Sequence, residues 1–234
     1  MYVQLLAHTP TPEQLVAASA KLCYSAASIS DLAAIEADKA AEFINKLPEA
    51  HQSPFEHISF TFGIEGVSRA MLAQITRHRI ASFSVQSQRY VNMDEFGYVV
   101  PPSIAEDDDM INAYVFFMRM ANNTYQAIRN HLKDNHVRKG VSPEDAAKLA
   151  NEDARFVLPN ACETRMIVTM NARELLHFFS LRCCKRAQWE IRAVADEMLR
   201  LCKEVAPEIF AKAGPGCLRG HCPEGKMGCK HETD

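Results

Sequence analysis

Between Arg77 and Tyr90 the chain carries Arg77, His78, Arg79, Ser82, Ser84, Ser87 and Arg89, and not one carboxylate. Three guanidiniums, an imidazole and three serine hydroxyls within fourteen residues form a donor-rich stretch. Phosphate is the partner this chemistry suits, because Arg presents a fixed fork of N–H groups to anionic oxygens and a serine hydroxyl adds a further donor. Cations at a helix C-terminus are also favoured by the helix dipole, and that explains Arg77-His78-Arg79 taken alone. It does not explain the serines and the arginine that follow.

Arg155, Arg165, Arg173 and Arg182 also fall in or beside apolar segments rather than in solvated charge runs. Arg is seldom buried without an anion. The chain therefore calls for anions from outside, and a phosphorylated ligand is the simplest supplier. No Gly-x-Gly-x-x-Gly or Walker loop occurs, so side chains rather than a glycine-rich backbone must hold the phosphate. His51, His57, His78 and His177 have the chemistry of acid–base groups or metal ligands. A lone histidine is as readily a hydrogen-bonded structural residue. His177 is the better supported, since Arg173 lies four residues before it on the same helical face. No nucleophile elbow or Ser-His-Asp order is present, and Ser87 lacks a base, so its hydroxyl suits phosphate better than covalent catalysis.

Of the eight cysteines, Cys23, Cys162, Cys183, Cys184 and Cys202 are scattered, while Cys217, Cys222 and Cys229 gather in the tail with His221 and His231. The chain opens without the basic and apolar regions of a signal peptide, so thiols or metal ligands are expected rather than a disulfide framework. The tail has enough ligands for zinc but lacks Cys-x-x-Cys spacing, and no metal is assigned.

The elements that must position these groups follow from periodicity. Tyr2–Ala7 reads as a strand, and Thr11-Pro12-Glu13 as the N-cap, first position and acidic first turn of a helix to about Tyr24. A second helix is expected from Ile29 or Ser30 to Leu47, stopped by Pro48. Ile58, Phe60, Phe62 and Ile64 alternate with polar residues, which predicts a half-buried strand. From Val67 or Ser68 to Arg79 the spacing is helical, carrying Gln74 and delivering Arg77–Arg79 at the helix end. After Tyr90 the sequence is irregular through Pro101-Pro102. Ser103 or Glu106 then opens a long helix to about Leu132, with Tyr114, Phe117, Met118, Ala121 and Tyr125 on one face. Another helix runs from Ser142 to before Pro159, with Arg155 near its end. Cys162–Met170 is a second strand. Asn171 and Glu174 match a capping box opening a helix through Arg182, and a last helix spans Arg186–Val205.

At 234 residues with 47% hydrophobic residues, a substantial core in one domain is expected. The formal charge of −3 excludes a global field for nucleic acid or an anionic membrane, and no run reaches the ~18 apolar residues of a membrane span. The chain reads as cytoplasmic.

The segment Arg77-His78-Arg79-x2-Ser82-x4-Ser87-x-Arg89 resembles the signature of the flavin-dependent thymidylate synthases. The resemblance extends, in order, to His51-x-Ser53-Pro54-Phe55-Glu56-His57, Arg155-x3-Pro159, Asn171-x-Arg173-x3-His177-x4-Arg182 and Ala187–Arg192. It implies conversion of dUMP to dTMP with methylenetetrahydrofolate as carbon donor, NADPH as reductant and tightly bound FAD. It further implies that Ser53, Arg77, His78, Arg79, Asn171, Arg173 and His177 contact FAD. Gln74, Arg77, Ser87, Gln88, Arg89, Arg155 and Arg182 would contact dUMP, with Arg182 stabilising the uracil as N3 loses its proton. Many relatives carry Asn and Glu where this chain has Ser84 and Val85, so Val85 offers the flavin only its backbone N–H. The implied assembly is a homotetramer with shared active sites. The implied fold is a single α+β domain, residues 1–212, with helices packed on a mixed or antiparallel sheet and a Cys-rich tail over 213–234. A non-catalytic flavin or nucleotide-binding protein would share the Arg clusters. A single-strand nucleic-acid binder is disfavoured by the charge and by the lack of a basic, aromatic-interleaved strand face.

Overall fold

Alternation of apolar residues builds the central sheet. In the computed structural model, which describes residues 1–48, 51–220, 222 and 225–229, β1 (Tyr2–His8) leads into α1 (Pro12–Leu22). Thr11 occupies the N-cap of α1 at φ 44° and makes no side-chain cap bond, so Pro12 and Glu13 carry that helix start. The single helix expected over 29–47 is two helices, α2 (Ile29–Ala33) and α3 (Ala37–Lys46). A reciprocal Ser28–Asp31 capping box starts α2, and that short-range capping gives the segment its own first helix.

Strand β2 (Ser59–Ser68) buries Phe60, Phe62 and Ile64 in alternation, then continues past the expected end. Gly66 adopts φ 67°, a conformation that suits glycine, and beyond it both Val67 and Ser68 are buried. Period two is lost there, which is why sequence reading assigns those residues to a helix. Helix α4 (Arg69–Ile75) is correspondingly short. Arg77, His78 and Arg79 therefore stand in the turn beyond it rather than in its last turn, although His78 N still donates to the Ile75 carbonyl at 3.1 Å. Ala81–Val85 forms a strand, β3, absent from the sequence reading.

The next helices are α5 (Pro102–Ala105) and α6 (Asp108–Arg138), the latter capped by Asp107 Oδ1, which accepts from the amides of Asp109 and Met110. Met118, Ala121 and Tyr125 of α6 are buried; Phe117, expected beside them, is 51% exposed. Helix α7 (Pro143–Ala154) starts at a Ser142 cap. Strand β4 (Glu163–Asn171), α8 (Ala172–Arg182), α9 (Trp189–Val205) and α10 (Pro207–Phe210) follow. Gln188 caps α9, which sets its start three residues later than Arg186.

The fold is α+β, with an antiparallel four-stranded sheet in the order β1-β2-β4-β3. The Thr61 and Thr169 hydroxyls meet at 2.9 Å across β2 and β4, and Gln86 N donates to the Arg165 carbonyl at 3.0 Å beside β3 and β4. The chain forms two compact units: Met1–Ile64 with Gln74–Phe83 and Ile167–Asp234, and Glu65–Ala73 with Ser84–Met166. Edge-to-face rings fill the first, with Phe60 on Phe210 at 5.4 Å and Phe179 on Phe210 at 5.9 Å. Met93, Phe96, Met118, Ala121, Tyr125, Ala154 and Cys162 form the core of the second. Among the described residues, no helix is long and apolar enough to cross a membrane.

Candidate functional site

The expected flavin residues Ser53, Arg77, His78, Arg79, Asn171, Arg173 and His177 belong to the first unit, together with Gln74 and Arg182; Val85, Ser87, Gln88, Arg89 and Arg155 belong to the second. In the first unit His78 is the buried member. Its Nδ1 lies 2.9 Å from Glu174 Oε1, and its Nε2 lies 3.3 Å from Arg182 Nε. Phe178 packs edge-on against the ring at 4.9 Å, and the His177 ring lies 6.1 Å away. Burial lowers the pKa of His78, opposed by the Glu174 hydrogen bond and reinforced by Arg182. Helix α8 supplies Glu174, His177, Phe178 and Arg182 because its four-residue spacing returns side chains to one face.

Asn171 caps α8 as expected, accepting from Glu174 N at 2.8 Å. The capping box is only half made, however, because the Glu174 carboxylate turns to His78. Arg173 pairs with Glu56 in the short turn that begins at Ser53. Arg77 and Arg79 are exposed and have no carboxylate partner among the described residues. Arg182 is half-buried; burial, and then the charge of Arg77, lowers its pKa. Two guanidiniums thus sit within electrostatic reach of one another with no carboxylate on either. Such an arrangement is relieved by an incoming anion.

The second unit repeats this pattern. Arg69 donates through Nη2 to the Gln86 carbonyl at 3.2 Å, while its buried Nε has no partner among the described residues. Its pKa is lowered by burial, opposed by Cys162 and lowered further by Arg155. Cys162 in turn lies 3.8 Å from Gln88 Nε2, and burial pushes its thiol up to about 11. Arg89 holds Glu152 through Nη2 at 2.7 Å and Nε at 2.9 Å. Its carbonyl accepts from Asn151 Nδ2 at 3.1 Å, and Asn151 Oδ1 accepts from Arg129 Nε at 2.7 Å. Ser87 Oγ accepts from Arg89 N at 3.2 Å, which closes the turn. Residues 86–89 are therefore held by the protein at several points before any ligand arrives.

The buried arginines expected from sequence are not found as such. Arg77, Arg79, Arg165 and Arg173 are exposed, and Arg89, Arg155 and Arg182 are half-buried. Sequence reasoning missed Arg69 and Glu152, and it assigned Glu174 to a cap. The signal for Arg69 was present: a lone guanidinium between the apolar end of β2 and the buried Met71. No spacing rule points to Glu152 or to the second role of Glu174, since their partners lie 63 and 96 residues away.

The family model described as thymidylate synthase complementing protein matches residues 4–208. Flavin-dependent thymidylate synthases of Geobacter sulfurreducens and Nitratidesulfovibrio vulgaris are 52% and 51% identical, over 98% and 96% of this chain and 94% and 91% of their own. That of Clostridium tetani is 49% identical over 97% of this chain and 92% of its own. The chain belongs to the flavin-dependent thymidylate synthase family. In this family member the position of Val85 ends β3, half-buried and without a charge to offer. The tail histidines His221 and His231, possible metal ligands by type, lie outside the described residues. Among the described residues no three His, Cys, Asp or Glu side chains gather as a metal-binding group.

Proposed function

We propose that this chain reductively methylates dUMP to dTMP, with methylenetetrahydrofolate as carbon donor and NADPH as reductant. The carrying observation is that Arg69, Arg155 and Arg182 donate to carbonyls and an imidazole, and that they and Arg77 have no carboxylate partner among the described residues. These surplus cations fit the phosphates of FAD and of a nucleotide. When bound, FAD supplies the hydride chemistry. Ser53, Arg77, His78, Arg79, Asn171, Arg173, His177 and the Val85 N–H bind and orient it.

Ser87, Arg89 and Arg155 hold the dUMP phosphate, and Gln74, Gln88 and Arg77 orient the nucleotide. Arg182 faces the uracil edge and stabilises the negative charge left when N3 loses its proton, so that the ring becomes the nucleophile toward the one-carbon unit. An enzyme nucleophile is not required. That agrees with the buried Cys162, Cys183 and Cys202, whose thiols burial holds in the protonated form at neutral pH. Residues 1–212 act as the catalytic domain of a cytoplasmic homotetramer, whose subunits share active sites, and residues 213–234 form a Cys-rich tail.

The test is the visible spectrum of the purified protein, followed by tritium release from [5-³H]dUMP with NADPH and methylenetetrahydrofolate. Flavin absorbance and tritium release are expected. Colourless protein that takes up no added FAD overturns the proposal. Yellow protein that neither oxidises NADPH nor releases tritium makes it a non-catalytic flavoprotein.

A further inference from the structure

Glu174 and Arg182 stand eight residues apart on α8, two turns and about 12 Å along the axis. Between them lies the buried His78 imidazole, 2.9 Å from Glu174 Oε1 and 3.3 Å from Arg182 Nε. Arg is always a donor, so His78 Nε2 must present its lone pair to Arg182. The ring proton then sits on Nδ1 and is donated to Glu174. Two observations say that this is more than packing. Glu174 is 8% exposed and gives up the return bond of a capping box that its sequence position offers. And Arg182 has a neutral nitrogen, rather than a carboxylate, as its partner.

We propose that Glu174 is a positioning residue: through the neutral His78 ring it orients the Arg182 guanidinium while leaving that guanidinium's charge unspent for the nucleotide. A carboxylate in direct contact would aim Arg182 equally well, but would also neutralise it. A lone pair aims without neutralising. Burial, which disfavours the imidazolium, keeps the ring in the form that the relay needs, with Glu174 pulling the other way and Arg182 and the nearby His177 in the same sense. The catalytic consequence rests on the role proposed above for Arg182; the tautomer does not.

The test uses the FAD-loaded, full-length protein labelled with ¹⁵N-histidine, the His78 signal being identified by its loss in His78→Gln. In the unsubstituted protein His78 is expected as the neutral Nδ1–H form at pH 7.5. An Nε2–H form or an imidazolium there overturns the relay, whatever the activity. Glu174→Gln keeps an oxygen acceptor and should keep this tautomer, with kcat within about fivefold of wild type. Glu174→Leu should lose the tautomer preference and lower kcat by about tenfold to a hundredfold, as expected for a misaimed group. Its FAD content and KM for dUMP should stay within about threefold. A Glu174→Leu protein with an unchanged His78 signal, or a kcat loss equal in Gln and Leu variants, refutes the relay. Full activity in Arg182→Ala would instead remove the role of Arg182 and leave the relay to be judged by the histidine signals alone.

Discussion

Arg89 has two claimants, Glu152 within the chain and the dUMP phosphate, and the contest between them has a measurable outcome. The Arg89–Glu152 pair is partly solvated, with side chains 39% and 36% exposed, so it contributes about 0.2–1 kcal/mol to folding. A charge-assisted hydrogen bond to phosphate is worth about 1.5–3 kcal/mol, which is about tenfold to 150-fold in Kd. Arg89→Ala should therefore lower Tm by no more than about 4 °C while weakening dUMP binding by that factor. Glu152→Gln removes the competitor and leaves the guanidinium in place. Its dUMP affinity should equal or exceed wild type, by at most about fivefold if the full ion-pair energy is released. Isothermal titration of the FAD-loaded protein with dUMP, beside a thermal melt, reads both. If Arg89→Ala binds dUMP within twofold of wild type, or if Glu152→Gln weakens binding tenfold, Arg89 belongs to a structural ion pair and not to the phosphate site.

Three further outcomes follow from the same geometry. Arg182→Ala should retain FAD by absorbance yet lose about 10²–10³ in dTMP formation, the scale of one lost oxyanion-stabilising donor; near-normal turnover would refute its role at the uracil. Phe60→Ala, at a fully buried ring packed edge-on against Phe210, should cost about 3–5 kcal/mol in a denaturant titration, and a loss under 1 kcal/mol would contradict the packing. His78 has a folded pKa below its unfolded value of about 6.5. The unfolded chain then takes up the proton first, so this contribution is complete above pH ~6.5 and is lost as pH falls toward the folded pKa. The urea midpoint should drop between pH 7.5 and 5.5, and drop less in His78→Gln; equal slopes would show that His78 does not carry the effect.

Local chemistry was legible from residues alone. The Phe60–Ile64 alternation, the Asn171 cap, the helix start at Ser142, and the cation excess around Arg77 and Arg182 depend on neighbours within a few positions. So does the motif order that resembles the family to which the chain belongs. The errors arose where tertiary contacts overrule local pattern. Gly66 at φ 67° broke the period of β2 and moved the Arg77–Arg79 turn out of α4. The strand at Ala81–Val85 does alternate, with half-buried Ala81, Phe83 and Val85 between exposed Ser82 and Ser84, but it is only five residues long and its serines read as phosphate donors. Glu174, a capping residue by spacing, serves His78 instead, and Arg89 finds Glu152 across 63 positions. Residue types and spacings establish which chemistry the chain can perform. Only folding decides which donor meets which acceptor, because those pairings join segments far apart in sequence and depend on burial that no local window records.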